Sequence, residues 1–196
     1  MSMTGDFLIT KEFLKELSPC TDGYRWFCET YPDGGKYQEI LDRLCELDRF
    51  DDACWLLNKV GATNDVLEID SIDDKEKSIC FAGTIIASKD LTLKNIKAGG
   101  FIKAGKSIEA SEYIEAGGYI KASEYIEASE YIEASEYIEA GGYIEAGEYI
   151  EVGENYGVYA GLRVRISDMK EIGYIKAQEK PKNFMCGYWE GEGYEI

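Results

Sequence analysis

Carboxylates and phenols are the side chains that could do chemistry in this chain, because it contains no histidine. Glu109, Glu112, Glu115, Glu124, Glu127, Glu130, Glu133, Glu136, Glu139, Glu145, Glu148 and Glu151 recur at multiples of three, with Tyr125, Tyr131 and Tyr137 among them at a spacing of six. Paired carboxylates are the usual groundwork of acid–base catalysis, but that chemistry needs two unlike environments, one keeping its proton and one losing it. A short repeat gives each carboxylate much the same neighbours, so this pattern is expected to bind rather than react. Lack of histidine removes the Ser-His-Asp and Cys-His arrangements, the HExxH zinc site and the imidazole shuttle near neutral pH. Six cysteines, at 20, 28, 45, 54, 80 and 186, form no CxxC pair and no zinc-finger spacing, and are read as free thiols of a reducing compartment. Gly99-Gly100, Gly117-Gly118 and Gly141-Gly142 precede no helical pattern, so they are corners rather than a phosphate loop. The expectation is a non-enzymatic protein with no cofactor and no metal.

The elements that must hold these side chains follow from the period. Isoleucine occupies every sixth position from Ile96 to Ile150, ten in all, and Ala or Val follows two residues later each time. Six residues turn a helix by about 600°, which leaves successive isoleucines about 120° out of step, so no helix face can collect them. Tyr-Ile-Glu-Ala instead alternates outward and inward, the period of a half-buried strand. The Ser-Glu, Gly-Gly or Gly-Glu that follows is a two-residue corner. Short strands joined by such corners at constant pitch stack as a parallel β-solenoid, with columns of isoleucine and alanine inside.

These hexads resemble the hexapeptide-repeat β-helix families, which wind three hexads into each triangular coil. The resemblance implies about 18 residues per coil, and AGGFIKAG at 98–105 returning as AGGYIKAS at 116–123 supports it. Acyltransferases of that type use a histidine base, so their activity is not expected here. Ile79-x-Phe81, Ile85-x-Ala87 and Leu91-x-Leu93 extend the repeat backward, with a five-residue step to Ile96. Tyr156-x-Val158 and Leu162-x-Val164 are expected to carry it forward in phase. The fold is thus expected to be α+β in two parts: a helical N-terminal domain over 1–70, a linker over 71–78, the solenoid over 79–177, and a C-terminal segment over 178–196. That last segment is left two roles, covering the open strand edge or pairing two chains as a homodimer. In the N-terminal part, helices are predicted over 8–17, 36–50 and 51–60, with Thr10 as an N-cap and a further short helix starting at Thr21 or Asp22. Ile40, Leu41, Leu44, Leu47, Ala53, Trp55, Leu56 and Leu57 are its predicted core.

Charge narrows the partner. The formal net charge is -17, and it is unevenly placed: -9 over residues 1–78, +4 over 79–108, -12 over 109–154 and zero over 155–196. An acidic belt of this kind is not expected to bind nucleic acid directly, since phosphates need a basic footprint. It is expected to meet a basic nucleic-acid-binding protein or complex, such as a CRISPR effector or restriction nuclease, by presenting DNA-like negative charge. The helical front end, the YIEA repeat and the closing NYGVYAGL also resemble small proteins of bacterial prophages and mobile elements. Together these readings give an anti-CRISPR or anti-restriction inhibitor as the expected function, with a self-assembling solenoid scaffold as the alternative. No apolar run approaches the roughly 20 residues that span a bilayer, so a soluble protein of the bacterial cytoplasm is expected.

Overall fold

The computed structural model describes residues 4–191. Residues 1–3 and 192–196, the ends of the expected helical domain and C-terminal segment, lie outside the described residues. Four helices come first: α1 (Lys11–Glu16), α2 (Thr21–Thr30), α3 (Tyr37–Glu46) and α4 (Phe50–Val60). The helix predicted over 8–17 is shorter, because Leu8–Ile9 pairs antiparallel with Gly35–Lys36. Thr10 then ends that strand and opens α1, its hydroxyl accepting a hydrogen bond from the Phe13 amide at 3.2 Å. Asp48, at a φ of 54°, breaks the chain between α3 and α4. Ile40, Leu41, Leu44, Ala53, Leu56 and Leu57 are buried as predicted, joined by Phe27 and Tyr37. Leu47 and Trp55 are not part of the buried core: Leu47 closes α3 and is 42% exposed, and Trp55 lies half-buried at its edge.

Apart from a helical excursion at Ile166–Asp168 and Met169–Ile172, the rest of the described chain is a three-sided parallel β-solenoid of about seven coils. Its first face stacks Val66–Ile69, Thr84–Ala87, Ile102–Ala104, Ile120–Ala122, Ile138–Ala140, Val158–Tyr159 and Phe184–Cys186. The second face carries Ile108–Ala110, Ile126–Ala128, Ile144–Ala146, Tyr174–Lys176 and Tyr188–Trp189; the third carries Ile114–Ala116, Ile132–Ala134 and Ile150–Val152. Each central isoleucine pairs with the one eighteen residues on, as Ile120 does with Ile138. The ten isoleucines from Ile96 to Ile150 are all buried, and the Ala columns lie beside them.

Departures from phase have local causes. The five-residue step is a strand that runs through its corner: Leu91–Ala98 is continuous, pairing with the second face through Leu91 and Leu93 and with the third through Ile96 and Ala98. Strand pairing starts before the expected position 79, at Val66, and Ile72–Phe81 lies on two faces of the first coil. After Val152 the predicted phase fails. Val158 and Ala160 fill the inward sites, while Tyr156 and Leu162 are 44% and 49% exposed. A turn at 154–155, closed by the Tyr156 amide on the Gly153 carbonyl, inserts two residues, so Ile138 pairs with Val158 rather than with position 156.

Side chains and irregular segments cover parts of both ends of the solenoid. At the first coil the Gln38 side chain of α3 acts as a missing rung, donating to the Cys80 carbonyl at 3.0 Å and accepting from the Ala82 amide at 2.9 Å. Nearby, a Cβ at Gly99 would stand 2.1 Å from the Ala82 carbonyl oxygen and 3.0 Å from Ala62, so the corner admits only glycine while the segment after α4 packs there. Beside the third face's last strand, Gln178 bonds the Glu148 carbonyl and Asn183 the carbonyls of Gly153 and Glu154, bracketing a buried Pro181, which has no amide to offer a further strand there; Phe184–Cys186 and Tyr188–Trp189 then form the last strands of the first and second faces. Gln38→Ala is expected to leave a strand edge unsatisfied, at a cost of about 2–4 kcal/mol. Urea unfolding checks the loss, and light scattering checks whether the opened edge recruits other chains. Among the described residues no helix is long and apolar enough to cross a membrane.

Candidate functional site

Outward positions of the hexads decide where the carboxylates stand. The middle residue of each three-residue strand points out, so the second face presents Glu109, Glu127 and Glu145 in register, and the third presents Glu115, Glu133 and Glu151. Between these faces runs a corner column of Glu112, Glu130 and Glu148, linked by amide-to-carbonyl bonds of 2.8 and 2.7 Å. Nine of the twelve predicted glutamates therefore surround one edge of the solenoid, with rungs about 4.8 Å apart.

The other three are dispersed. Glu139 lies on the first face, paired with Lys121 at 2.6 Å in a column that also holds Lys103. Glu124 and Glu136 sit on the two remaining edges. Glu124 stacks over Lys106 and Glu136 over Gly118, so neither forms the further glutamate ladder that the repeat suggested. Tyr125, Tyr131 and Tyr137 also separate, one to each edge, because consecutive hexads occupy consecutive sides. Each belongs to a column of parallel rings: Phe101-Tyr119-Tyr137, Tyr113-Tyr131-Tyr149 and Tyr125-Tyr143-Tyr174, with centroids 4.4 to 5.0 Å apart. Of the three tyrosines, Tyr131 alone stands on the acidic edge. Stacking of this kind contributes about 0.5–1.5 kcal/mol per pair and stiffens the edge.

Neutralisation is also uneven. Lys75 pairs with Glu109, Lys94 with Glu112 at 3.6 Å and Lys97 with Glu115 at 2.6 Å, so the end of the edge beside the helices is compensated. Lys176 compensates Glu145 at 2.5 Å. Glu127, Glu130, Glu133, Glu148 and Glu151 have no ion pair among the described residues. Glu127 instead accepts a hydrogen bond from the Tyr143 hydroxyl at 2.9 Å. Burial first, then that bond, hold the Tyr143 phenol protonated far above its ordinary range. Glu133 shows what the crowding does: burial, then the charges of Glu115 and Glu151, raise its carboxyl above the usual carboxylate value. Like charges at rung spacing repel by about 1 kcal/mol even in water.

The arrangement suits attraction of cations. Among the described residues no group of three acidic or sulfur ligands converges as a metal would need. The basic stretch over 79–108 contains Lys94 and Lys97, but charge counting does not pair them with the edge; with Lys75 and Lys176 they neutralise four of its nine glutamates. Lys94 and Lys97 stand eighteen residues before Glu112 and Glu115, so one coil of offset names both pairs; Lys75 and Lys176 lie outside the regular repeat and carry no such signal.

The family model of the YdhT N-terminal domain matches residues 1–63, the four-helix part, and ends before the first solenoid strand at Val66. No curated protein matches the chain, and no solved structure does.

Proposed function

We propose that the chain is a non-enzymatic binding protein whose acidic edge enters a basic, nucleic-acid-binding cleft of another protein, the action of a counter-defence inhibitor of CRISPR or restriction type. One observation carries the reading: five carboxylates without ion-pair partners are grouped on a single rigid edge, although their mutual repulsion disfavours the fold. Docking against lysine and arginine relieves that repulsion. A fixed array of charge also steers a basic partner toward it, at rates that fall as salt rises. The counter-defence setting draws on the resemblance of the sequence to small prophage proteins.

Capture from a bacterial lysate at low salt tests the proposal. Basic nucleic-acid-binding proteins are expected on the immobilised chain, and duplex DNA is expected to release them. The alternative, a self-assembling scaffold, is supported by the in-register strands and stacked tyrosines, and is disfavoured by the helices and the Gln38 side chain that cover the first coil. Light scattering separates the two readings, since a scaffold assembles without a basic partner.

A further inference from the structure

The four helices do not fill the space between them. A cavity of about 190 Å³ is lined by buried Leu14, Phe27, Ile40, Leu44 and Leu56 and flanked by the half-buried rings of Trp26 and Trp55. Its opening lies between α2 and α4, where Cys20 and Asp51 are exposed and Gly23 and Asp52 half-buried. A Cβ at Gly23 would stand 3.2 Å from the Cys20 sulfur and 3.8 Å from an Asp52 carboxylate oxygen, so glycine keeps the passage wide. Every lining residue falls between Leu14 and Leu56, inside the part that matches the YdhT N-terminal domain. We propose that this cavity is a binding site for a small neutral aromatic molecule with one N–H or O–H donor, an indole or a phenol.

Size, lining and charge each narrow the ligand. An apolar cavity of about 150 Å³ takes up a benzene ring, so this one holds a single ring with room to spare, up to a fused pair. Its tryptophans offer flat faces and edges against which another ring packs, offset or edge to face. Left empty, the space forfeits the contacts that its lining side chains would make. Charge at the opening is largely balanced. Arg49 pairs with Asp52 at 2.6 Å, reaches Asp22 at 3.5 Å and lies 5.0 Å over the Trp26 ring, while Arg25 stands 3.8 Å from Asp22. Asp51, the other carboxylate of the lining, makes no ion pair or side-chain hydrogen bond among the described residues. It lies in the first turn of α4, whose positive end offsets its charge. A charged ligand therefore gains little from this opening. A carboxylate that only accepts hydrogen bonds favours instead a neutral ligand that brings a donor. The ring then sits among the leucines and tryptophans, and the donor faces Asp51.

The test is a nuclear magnetic resonance titration of the full chain with indole, with benzene and benzoate as comparisons. Indole is expected to shift the ring N–H signals of Trp26 and Trp55 together, with half-saturation at or below about 1 mM. Trp189, on the solenoid, is expected to stay unmoved. Benzene is expected to reach the same two signals about tenfold more weakly, for want of the bond to Asp51, and benzoate to leave them unshifted. Asp51→Ala, at an exposed position, is expected to bring indole down to the affinity of benzene. Ile40→Phe, which fills the cavity, is expected to abolish both. Trp26 and Trp55 signals that do not shift, or shifts that do not saturate, overturn the proposal, as does benzoate bound as tightly as indole. Unchanged indole affinity in Asp51→Ala overturns the part given to the donor. The titration of the unsubstituted chain decides the matter even where Ile40→Phe folds poorly.

Discussion

Ile126→Asp should abolish cooperative folding of the solenoid, whereas Glu127→Lys, one residue along, should leave it intact. Ile126 is fully buried between Ile108 and Ile144 in a column that runs the length of the core. Losing its burial removes about 1.5–3 kcal/mol. An ionised carboxylate with no partner in that column carries the total beyond about 5 kcal/mol. Coils contact only their neighbours, so a break at a central coil disconnects the strands on either side. Glu127 points outward between Glu109 and Glu145, and a lysine there gives up the Tyr143 hydroxyl bond while gaining attraction to two carboxylates that Lys75 and Lys176 already pair. Circular dichroism with urea titration checks both variants: no cooperative transition for Ile126→Asp, and a cooperative transition with a midpoint close to that of the parent for Glu127→Lys. A parent-like midpoint for Ile126→Asp would contradict the inward assignment of the isoleucines.

Glu115→Ala should cost about 3 kcal/mol, the lower end of the range for breaking a buried ion pair. The Lys97 ammonium is enclosed at the junction beneath the helices, its side chain 4% exposed, and Glu115 answers it at 2.6 Å while keeping 24% of its own exposure. Removing Glu115 leaves a buried charge uncompensated between two stacked strands of the third face. Lys97→Met combined with Glu115→Leu should recover most of that loss, because the apolar pair has nothing to compensate. Equilibrium unfolding of the two single variants and the double variant measures the coupling. A single variant as stable as the parent would mean that Lys97 has another partner or reaches water.

The sequence shows the solenoid because its constraint is local and repeated: an isoleucine every six residues admits few other folds. The eighteen-residue coil, read from AGGFIKAG and AGGYIKAS, is what places Glu112, Glu130 and Glu148 in one column. The same periodicity alone suggests tyrosines and glutamates in larger ladders than exist. Tyr125, Tyr131 and Tyr137 look equivalent in sequence, yet each lands on a different edge, since three hexads close one coil. Beyond Val152 the turn at 154–155 shifts the phase, and a tertiary detail, the seating of Val158 above Ile138, decides which residues face inward. Lys75 and Lys176 reach Glu109 and Glu145 from irregular strands, so no spacing announces them.

The proposed function turns on whether charge acts by its place or by its total. Glu127→Lys, Glu130→Lys, Glu133→Lys and Glu148→Lys together alter the acidic edge. Glu16→Lys, Glu29→Lys, Asp33→Lys and Glu171→Lys change the net charge equally at exposed positions elsewhere. Both variants, checked for folding by circular dichroism, go through the low-salt lysate capture with elution by duplex DNA. The DNA-displaceable basic proteins should bind the parent and the remote variant and be lost from the edge variant. Equal capture by both variants, or no DNA-displaceable protein on the parent, would contradict the acidic edge as the binding surface.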